Sequence, residues 1–357
     1  MSHLNLCRLS APVPPQNGRM RRLMGSDAAK LLQATLQEQP NGPGVIVGVV
    51  TADGLLATRS AGRTGLDSLE SLDDRSAFYI ASVSKQYTAA CILLAADDGR
   101  LSLDDRLSAF LPSLPAWSDD IRVEHLLSHS AGLPDYGELI EASGRSILEP
   151  FGDDMIVEVL AASDGPTFDA GTQVSYSNTG YVLLAMVVRI ATGLSLRNFA
   201  AERVFAPLGM TETLYRDDHR ERIPRLADGH VVVNDQVVRF ESCFDRVGDG
   251  GVISTLADWA IWESTLLGRR DPWYSLSERL AAPFVLRDGS VSSWRAGVVV
   301  EEIAGETATL AGGTGFGYRA FSARLPKAGF SVCCLSNLET ADVRGLSLDI
   351  AEALGDQ

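Results

Sequence analysis

Three short stretches of this chain carry side chains whose types and spacing suit nucleophilic catalysis. The first is Ser82-Val83-Ser84-Lys85. Serine and lysine three positions apart on a helix lie on one face, about one turn from each other. The preceding Phe78-Tyr79-Ile80-Ala81 is strand-like, so Ser82 is expected at a helix start. Free backbone N–H groups and the positive end of the helix dipole are available there, and they can stabilise an oxyanion as well as the nucleophile. An amine held away from water has its charged form disfavoured and can take a serine proton. The second stretch is Tyr176-Ser177-Asn178, after Gly171. A phenol and an amide two residues apart in a loop can point the same way, the phenol to relay a proton to a leaving group, the amide to hold a substrate amide or the lysine. The third runs from Ala311-Gly312-Gly313-Thr314 to Gly315-Phe316-Gly317-Tyr318-Arg319. Its glycines let backbone approach a ligand closely. A nucleotide-binding glycine loop must open a helix, and β-type sequence follows here, so that reading is rejected.

Taken singly, these stretches fit an N-cap serine with a surface lysine, an ordinary loop and a glycine-rich turn. Together, in this order, they resemble the serine β-lactamase and penicillin-binding-protein family, for which S-x-x-K is a known signature. Further segments are similar to that family: Leu101-Ser102-Leu103-Asp104-Asp105, Val123 to Leu133, Tyr176 to Tyr181, Pro207-Leu208-Gly209-Met210 and Gly248-Asp249-Gly250-Gly251. The closest flavour is the class C-like branch, with its D-aminopeptidases, carboxylesterases and acyltransferases. The resemblance implies an acyl-enzyme on Ser82, with Lys85 and Tyr176 sharing the proton traffic. It implies an oxyanion hole from the backbone N–H groups of Ser82 and Thr314, beside Gly313. Asn178 would hold substrate or orient Lys85, and Arg319 is a further candidate for substrate contact. One departure stands out. The family's third motif usually begins with Lys or His, and Ala311 stands there instead. A charge-assisted hydrogen bond contributes roughly 1.5–3 kcal/mol, so its loss disfavours substrates recognised through a carboxylate and favours a neutral ester, thioester or amide.

The elements that must position these residues follow from the pattern. Residues 1–24 read as a mobile tail. Ala28–Gln37 reads as a helix capped by Ser26 and Asp27. Residues 45–51 and 55–60 are short strands separated by Asp53-Gly54, a hairpin signal. A helix over 82–98 should stop at Gly99, the expected left-handed position. Residues 123–130, 181–192 and 195–204 read as helices. Residues 294–303, 306–311, 317–325 and 329–336 read as an antiparallel meander, and 340–354 as a closing helix. The fold class is therefore α/β (α+β), with an antiparallel sheet flanked by helices plus a mostly helical lobe. A sheet lobe is built from 25–99 and 286–357 and a mainly helical lobe from 100–285, and the family resemblance implies a site between them.

The chain has 357 residues, with 31 Lys plus Arg against 46 Asp plus Glu, a formal net charge of −15. That balance argues against nucleic acid and anionic membrane partners, which need a basic surface. The five cysteines, Cys7, Cys91, Cys243, Cys333 and Cys334, are odd in number, two of them adjacent, and suggest buried reduced thiols rather than a disulfide framework. The polar start of the chain lacks a secretory apolar region, so a cytoplasmic protein is expected. His125 and His129 have the i, i+4 spacing of some zinc sites, but Leu126 replaces the required Glu; His3, His219 and His230 show no partner pattern. No metal or cofactor is implied, and the expected partner is a small-molecule acyl substrate. Three readings stay open: a serine acyl-hydrolase, an acyltransferase using the same acyl-Ser82, and a non-catalytic binding protein on the fold.

Overall fold

The computed structural model describes residues 18–36, 41–268 and 271–355. Its centre is a six-stranded antiparallel sheet: β1 Val45–Thr51, β2 Gly54–Ala61, β3 Val299–Ile303, β4 Glu306–Gly315, β5 Tyr318–Leu325 and β6 Phe330–Ser336. Their spatial order is β2-β1-β6-β5-β4-β3, so the two ends of the chain are joined along β1 and β6, where Val45 faces Ser336 and Thr51 faces Phe330. The sequences of β1 (VIVGVVT) and β6 (FSVCCLS) explain their place: both are almost wholly buried, as expected of strands covered on both faces. Edge strands β2 and β3 keep half-exposed positions.

Five helices fix the site around this sheet: α1 Gly18–Thr35, α2 Lys85–Asp97, α3 Asn178–Thr192, α4 Leu256–Leu267 and α5 Val343–Gly355. α1 and α5 cover one face through an apolar cluster that includes Leu32, Phe321, Val332 and Ile350. α4 and the helical segments, with α2 at their centre, cover the other through a larger cluster. α2 is apolar on nearly every side, and Lys85 to Ala95 are all buried, as befits a helix enclosed by others. Asp98 and Gly99 end it, Gly99 at φ 67°. α3 is capped by Ser177, whose side chain accepts from Gly180 N, and closed by Gly193 at φ 79°.

Several expected boundaries move. The expected tail over 1–24 falls outside the described residues as far as 17, and from Gly18 on the chain belongs to α1. The helix expected from 82 opens with a tight 3₁₀ turn, Ala81–Ser84, before α2 begins. The helix expected over 123–130 stops at Leu127, and His129 takes a left-handed φ of 57°. The helix expected over 195–204 is Leu196–Ala200 followed by a π turn, Ala201–Phe205. The strand expected from 294 begins only at Val299, because residues 294–298 cross over the start of α2. An added Cβ on Gly297 would sit 2.6 Å from Gln86 Cα. Segment 100–285 also holds strands: a hairpin, Gly229–Val233 with Gln236–Phe240, and Val252–Thr255 paired with both Ala77–Tyr79 and Leu214–Tyr215. Cys91, Cys333 and Cys334 are buried free thiols, while Cys243 is only half-buried; Cys7 lies outside the described residues. No single helix among the described residues is long and apolar enough to cross a membrane.

α4 is bonded to the sheet through charge. Arg324 on β5 grips the Glu263 carboxylate with Nε at 2.7 Å and Nη2 at 2.9 Å, and Ser331 on β6 donates to the same group at 2.9 Å. Both charged side chains are nearly inaccessible, at 5% and 0%. Removing one partner leaves the other charge buried and alone, whereas replacing both by apolar groups avoids that penalty. Glu263→Leu is expected to lower the free energy of urea unfolding by about 3–5 kcal/mol. The double variant Glu263→Leu/Arg324→Met should recover most of that loss, and equal losses in the two proteins would contradict a penalty from the unpaired charge.

Candidate active site

Ser82 sits on the 3₁₀ turn that leads into α2, half-buried, one residue after Ala81 at φ 48°. Lys85 is the first residue of α2 and only 2% exposed. Its Nζ donates to Ser82 Oγ at 3.1 Å, to Asn178 Oδ1 at 3.0 Å and to the Asp249 carbonyl at 2.6 Å. The Tyr176 hydroxyl donates to Ser82 Oγ at 2.6 Å, and the lysine nitrogen lies 4.9 Å from the centre of the Tyr176 ring. The serine, lysine, tyrosine and asparagine singled out by spacing therefore converge on one oxygen atom and one amine.

Asn178 opens α3, and a second bond sets its amide: Nδ2 donates to Asp135 Oδ2 at 3.3 Å. Asp135 is in turn fixed by accepting from Gly137 N at 2.8 Å as the cap of the following helix. Asp249 adds a layer behind Lys85. Its buried carboxylate accepts from the Tyr136 hydroxyl at 3.0 Å through Oδ2, while Oδ1 has no partner among the described residues. Burial pushes this carboxyl up, against the opposing pull of Lys85 and Tyr136.

The strand side of the site is β4. An added Cβ on Gly313 would lie 2.5 Å from the Ile80 carbonyl and 2.7 Å from Ser82 N, so only glycine permits this contact. β3 pairs with β4 only from Glu306 to Leu310, which leaves the edge of β4 from Ala311 onward without a β3 partner beside Ser82. Side chains alternate along a strand: Ala311 and Gly313 face α2, while Thr314 faces the other way. Arg319 stands opposite Thr314 in register, so it belongs to the face away from Ser82. Its Nε donates to the Glu339 carbonyl at 2.6 Å, and it meets the cavity only around the edge of β4. That cavity, about 610 Å³, runs from Ser82, Lys85 and Tyr176 past Trp294, Gly312 and Thr314 to Arg319 and Arg344.

Spacing alone missed three residues at the site. His129 and Trp294 line the cavity, and Asp249 holds Lys85. His129 was visible only as a partner of His125 in zinc-like spacing, but the helix ends between the two. Each imidazole instead accepts a backbone N–H through Nδ1, His125 from Arg122 at 3.0 Å and His129 from Ser177 at 3.1 Å. Asp249 lay within Gly248-Asp249-Gly250-Gly251 without a role, and Trp294 carried no local signal. His219, which showed no partner pattern, lies against Asp245, with Nδ1 2.8 Å from Oδ1. With Asp218 it forms a group whose ligand-type atoms lie within 4.8 Å of one another; it does not line the Ser82 cavity.

Burial and the nearby Arg287 and Arg122 push His125 down to about 4. Burial and Lys85 push His129 down to about 3. The ordinary value is about 6.5, so an unfolded chain takes up these protons first as the pH falls. The stability each neutral imidazole contributes is complete above about pH 6.5 and is lost as the pH falls toward its folded value, by about 1.4 kcal/mol per unit per site. In urea titrations between pH 6.5 and 4, His125→Asn is expected to flatten the rise of stability with pH by about one proton's worth. An unchanged slope would show that His125 is not held neutral.

Comparison with known proteins places this geometry among relatives. The family model described as Beta-lactamase matches residues 29–357. A D-aminopeptidase of Cereibacter sphaeroides is 27% identical over 338 residues, which cover 91% of this chain and 63% of that protein. A penicillin-binding protein of Bacillus subtilis is 30% identical over 282 residues, covering 75% of this chain and 61% of its own length. The chain thus spans less than two-thirds of these curated relatives. Among solved structures, the octameric penicillin-binding protein homologue from Pyrococcus abyssi superposes with a TM-score of 0.78 at 20% identity, over 94% of this chain and 77% of that one. A D-stereospecific amidohydrolase from Streptomyces sp. does so at 0.73 and 20%, over 92% and 98%.

Proposed function

Because the chain belongs to the beta-lactamase family, we propose that it is a serine acyl-hydrolase that cleaves a neutral amide or ester through a covalent acyl-Ser82 intermediate. One observation carries the reading: the Tyr176 hydroxyl and the Lys85 amine, from distant parts of the chain, both lie within hydrogen-bond reach of Ser82 Oγ. A nucleophile with its base in contact, and the base oriented by further groups, is what activation requires.

The steps follow from these positions. Ser82 Oγ attacks the substrate carbonyl and its proton passes to the Lys85–Tyr176 pair. The oxyanion forms between the N–H groups of Ser82 and Thr314, where fixed donors stabilise charge as it develops. Collapse breaks the bond to the leaving amine or alcohol, which takes a proton from Tyr176. Water then attacks the acyl ester and gives its proton to the same pair, which returns it to Ser82 Oγ as the carboxylic acid leaves. The names of the relatives, D-aminopeptidase and D-stereospecific amidohydrolase, make amides of D-configured amino compounds the first class to assay.

Intact-mass spectrometry after exposure to a fluorophosphonate should show one adduct on the wild type and none on Ser82→Ala. An unlabelled wild type, or equal labelling of both, would remove the proposal. Lys85→Met and Tyr176→Phe should each slow labelling about 10²- to 10⁴-fold, the range of general acid–base contributions.

Ala311, buried and facing the site, leaves the substrate side of β4 without a cation. Ala311→Lys is expected to raise kcat/KM for a carboxylate-bearing ester about 10- to 100-fold relative to its neutral analogue. Paired assays of the two esters would expose an equal response, which contradicts this account of selectivity.

A further inference from the structure

Tyr176 presents a difficulty that the acyl-enzyme reading does not resolve. Its hydroxyl must stay on Ser82 Oγ, yet the side chain is 41% exposed and its residue lies in the loop before α3, so burial does not hold it. We propose that His129 is the positioning residue for Tyr176, acting through a tilted ring contact and through a hydrogen bond to the adjoining backbone. The proposal rests on the reading of Tyr176 as a partner of Ser82.

The geometry is a series of tilted ring contacts. The His129 imidazole lies between Tyr176, at 4.8 Å and 35°, and Tyr181, at 5.0 Å and 34°. Trp294 closes the edge, 5.0 Å from His129 and 5.1 Å from Tyr176. Tyr181 is the fixed end: it is fully buried on α3 and its hydroxyl donates to the Leu127 carbonyl at 2.8 Å. The histidine thus carries the position of a core tyrosine to an exposed one.

The backbone is tied at the same place. Ser175 N donates to the His129 carbonyl at 2.9 Å, and Ser177 N donates to His129 Nδ1 at 3.1 Å. These two bonds bracket Tyr176 on both sides. With Nδ1 accepting, the neutral ring carries its proton on Nε2, which is buried without a partner among the described residues. Burial and the nearby Lys85 hold the imidazole down to about 3, so the Nδ1 lone pair remains available throughout the neutral range. The left-handed φ of 57° at His129 turns the ring out of the helical path and into these contacts. Phenylalanine would keep a ring but no acceptor; asparagine would keep the acceptor and tolerates the left-handed conformation, but supplies no ring.

The test compares wild type, His129→Ala, His129→Asn and His129→Phe for fluorophosphonate labelling rate and for kcat and KM on a p-nitrophenyl ester. Each variant is also made in a Tyr176→Phe background. His129→Ala should lower the labelling rate and kcat about 10- to 100-fold, the range for a misplaced reacting group, with KM changed less than about 3-fold. Asparagine and phenylalanine should each restore part of the loss. In the Tyr176→Phe background His129→Ala should have little further effect; the same factor in both backgrounds would overturn the proposal. A readout free of activity separates this from failure of the acyl-enzyme reading. With 3-fluorotyrosine at position 176, the ¹⁹F spectrum should give one narrow line in the wild type and a shifted, broadened line in His129→Ala. An unchanged line overturns the proposal even if wild-type Ser82 proves unreactive.

Discussion

The placement of one buried amine governs this molecule. Lys85 lies at the start of a helix enclosed on nearly every side, and a polar group taken from water there is costly unless its hydrogens find acceptors. Three acceptors are supplied, by the side chains of Ser82 and Asn178 and by the main chain of Asp249. They come from the turn before α2, the start of α3 and the segment before Val252–Thr255. Ser82 is one of the three, so the same bonds that make burial of the lysine tolerable also fix the direction of the Ser82 hydroxyl.

The remaining architecture supports that point from two sides. The helical side sets the amide of Asn178 through Asp135 and holds the Asp249 carboxylate through Tyr136. The sheet side brings β4 against Ser82 so closely that a methyl group at 313 would collide with backbone. The Glu263–Arg324 pair keeps α4 seated on β5 and β6, and those strands hold β4 in register. A rigid scaffold of this kind can keep a side chain on a loop, such as Tyr176, within reach of its partner.

Much of this was legible in the residues. The S-x-x-K spacing, the apolar run of α2 and Gly99 at its end are local signals, and α2 ends where read, although Ser82 lies on the 3₁₀ turn before it. The β-branched strands at both ends likewise pointed to one sheet. What escaped depended on contacts between distant segments. Residues 294–298 have strand-like composition, but they fold over α2 because Gly297 meets Gln86. Arg319 follows the glycine-rich strand edge, yet register puts it on the far face. His129 acquires its place from Tyr176, Tyr181 and Trp294, none of which its own neighbourhood announces. The valine hairpin at 229–240 was a different case. Asn234 and Asp235, both left-handed, sit between two valine runs and are a turn signal that periodicity should have caught.

The junction of the two chain ends has a consequence for biogenesis. Gly44 N donates to Asn337 Oδ1 across 293 positions of sequence, and the central sheet cannot close before β6 has left the ribosome. The strand that lies against Ser82 is translated more than two hundred residues after it. Long-range pairing of this kind forms slowly, so the turn that carries Ser82 lacks its sheet-side neighbour until β4 to β6 have been made.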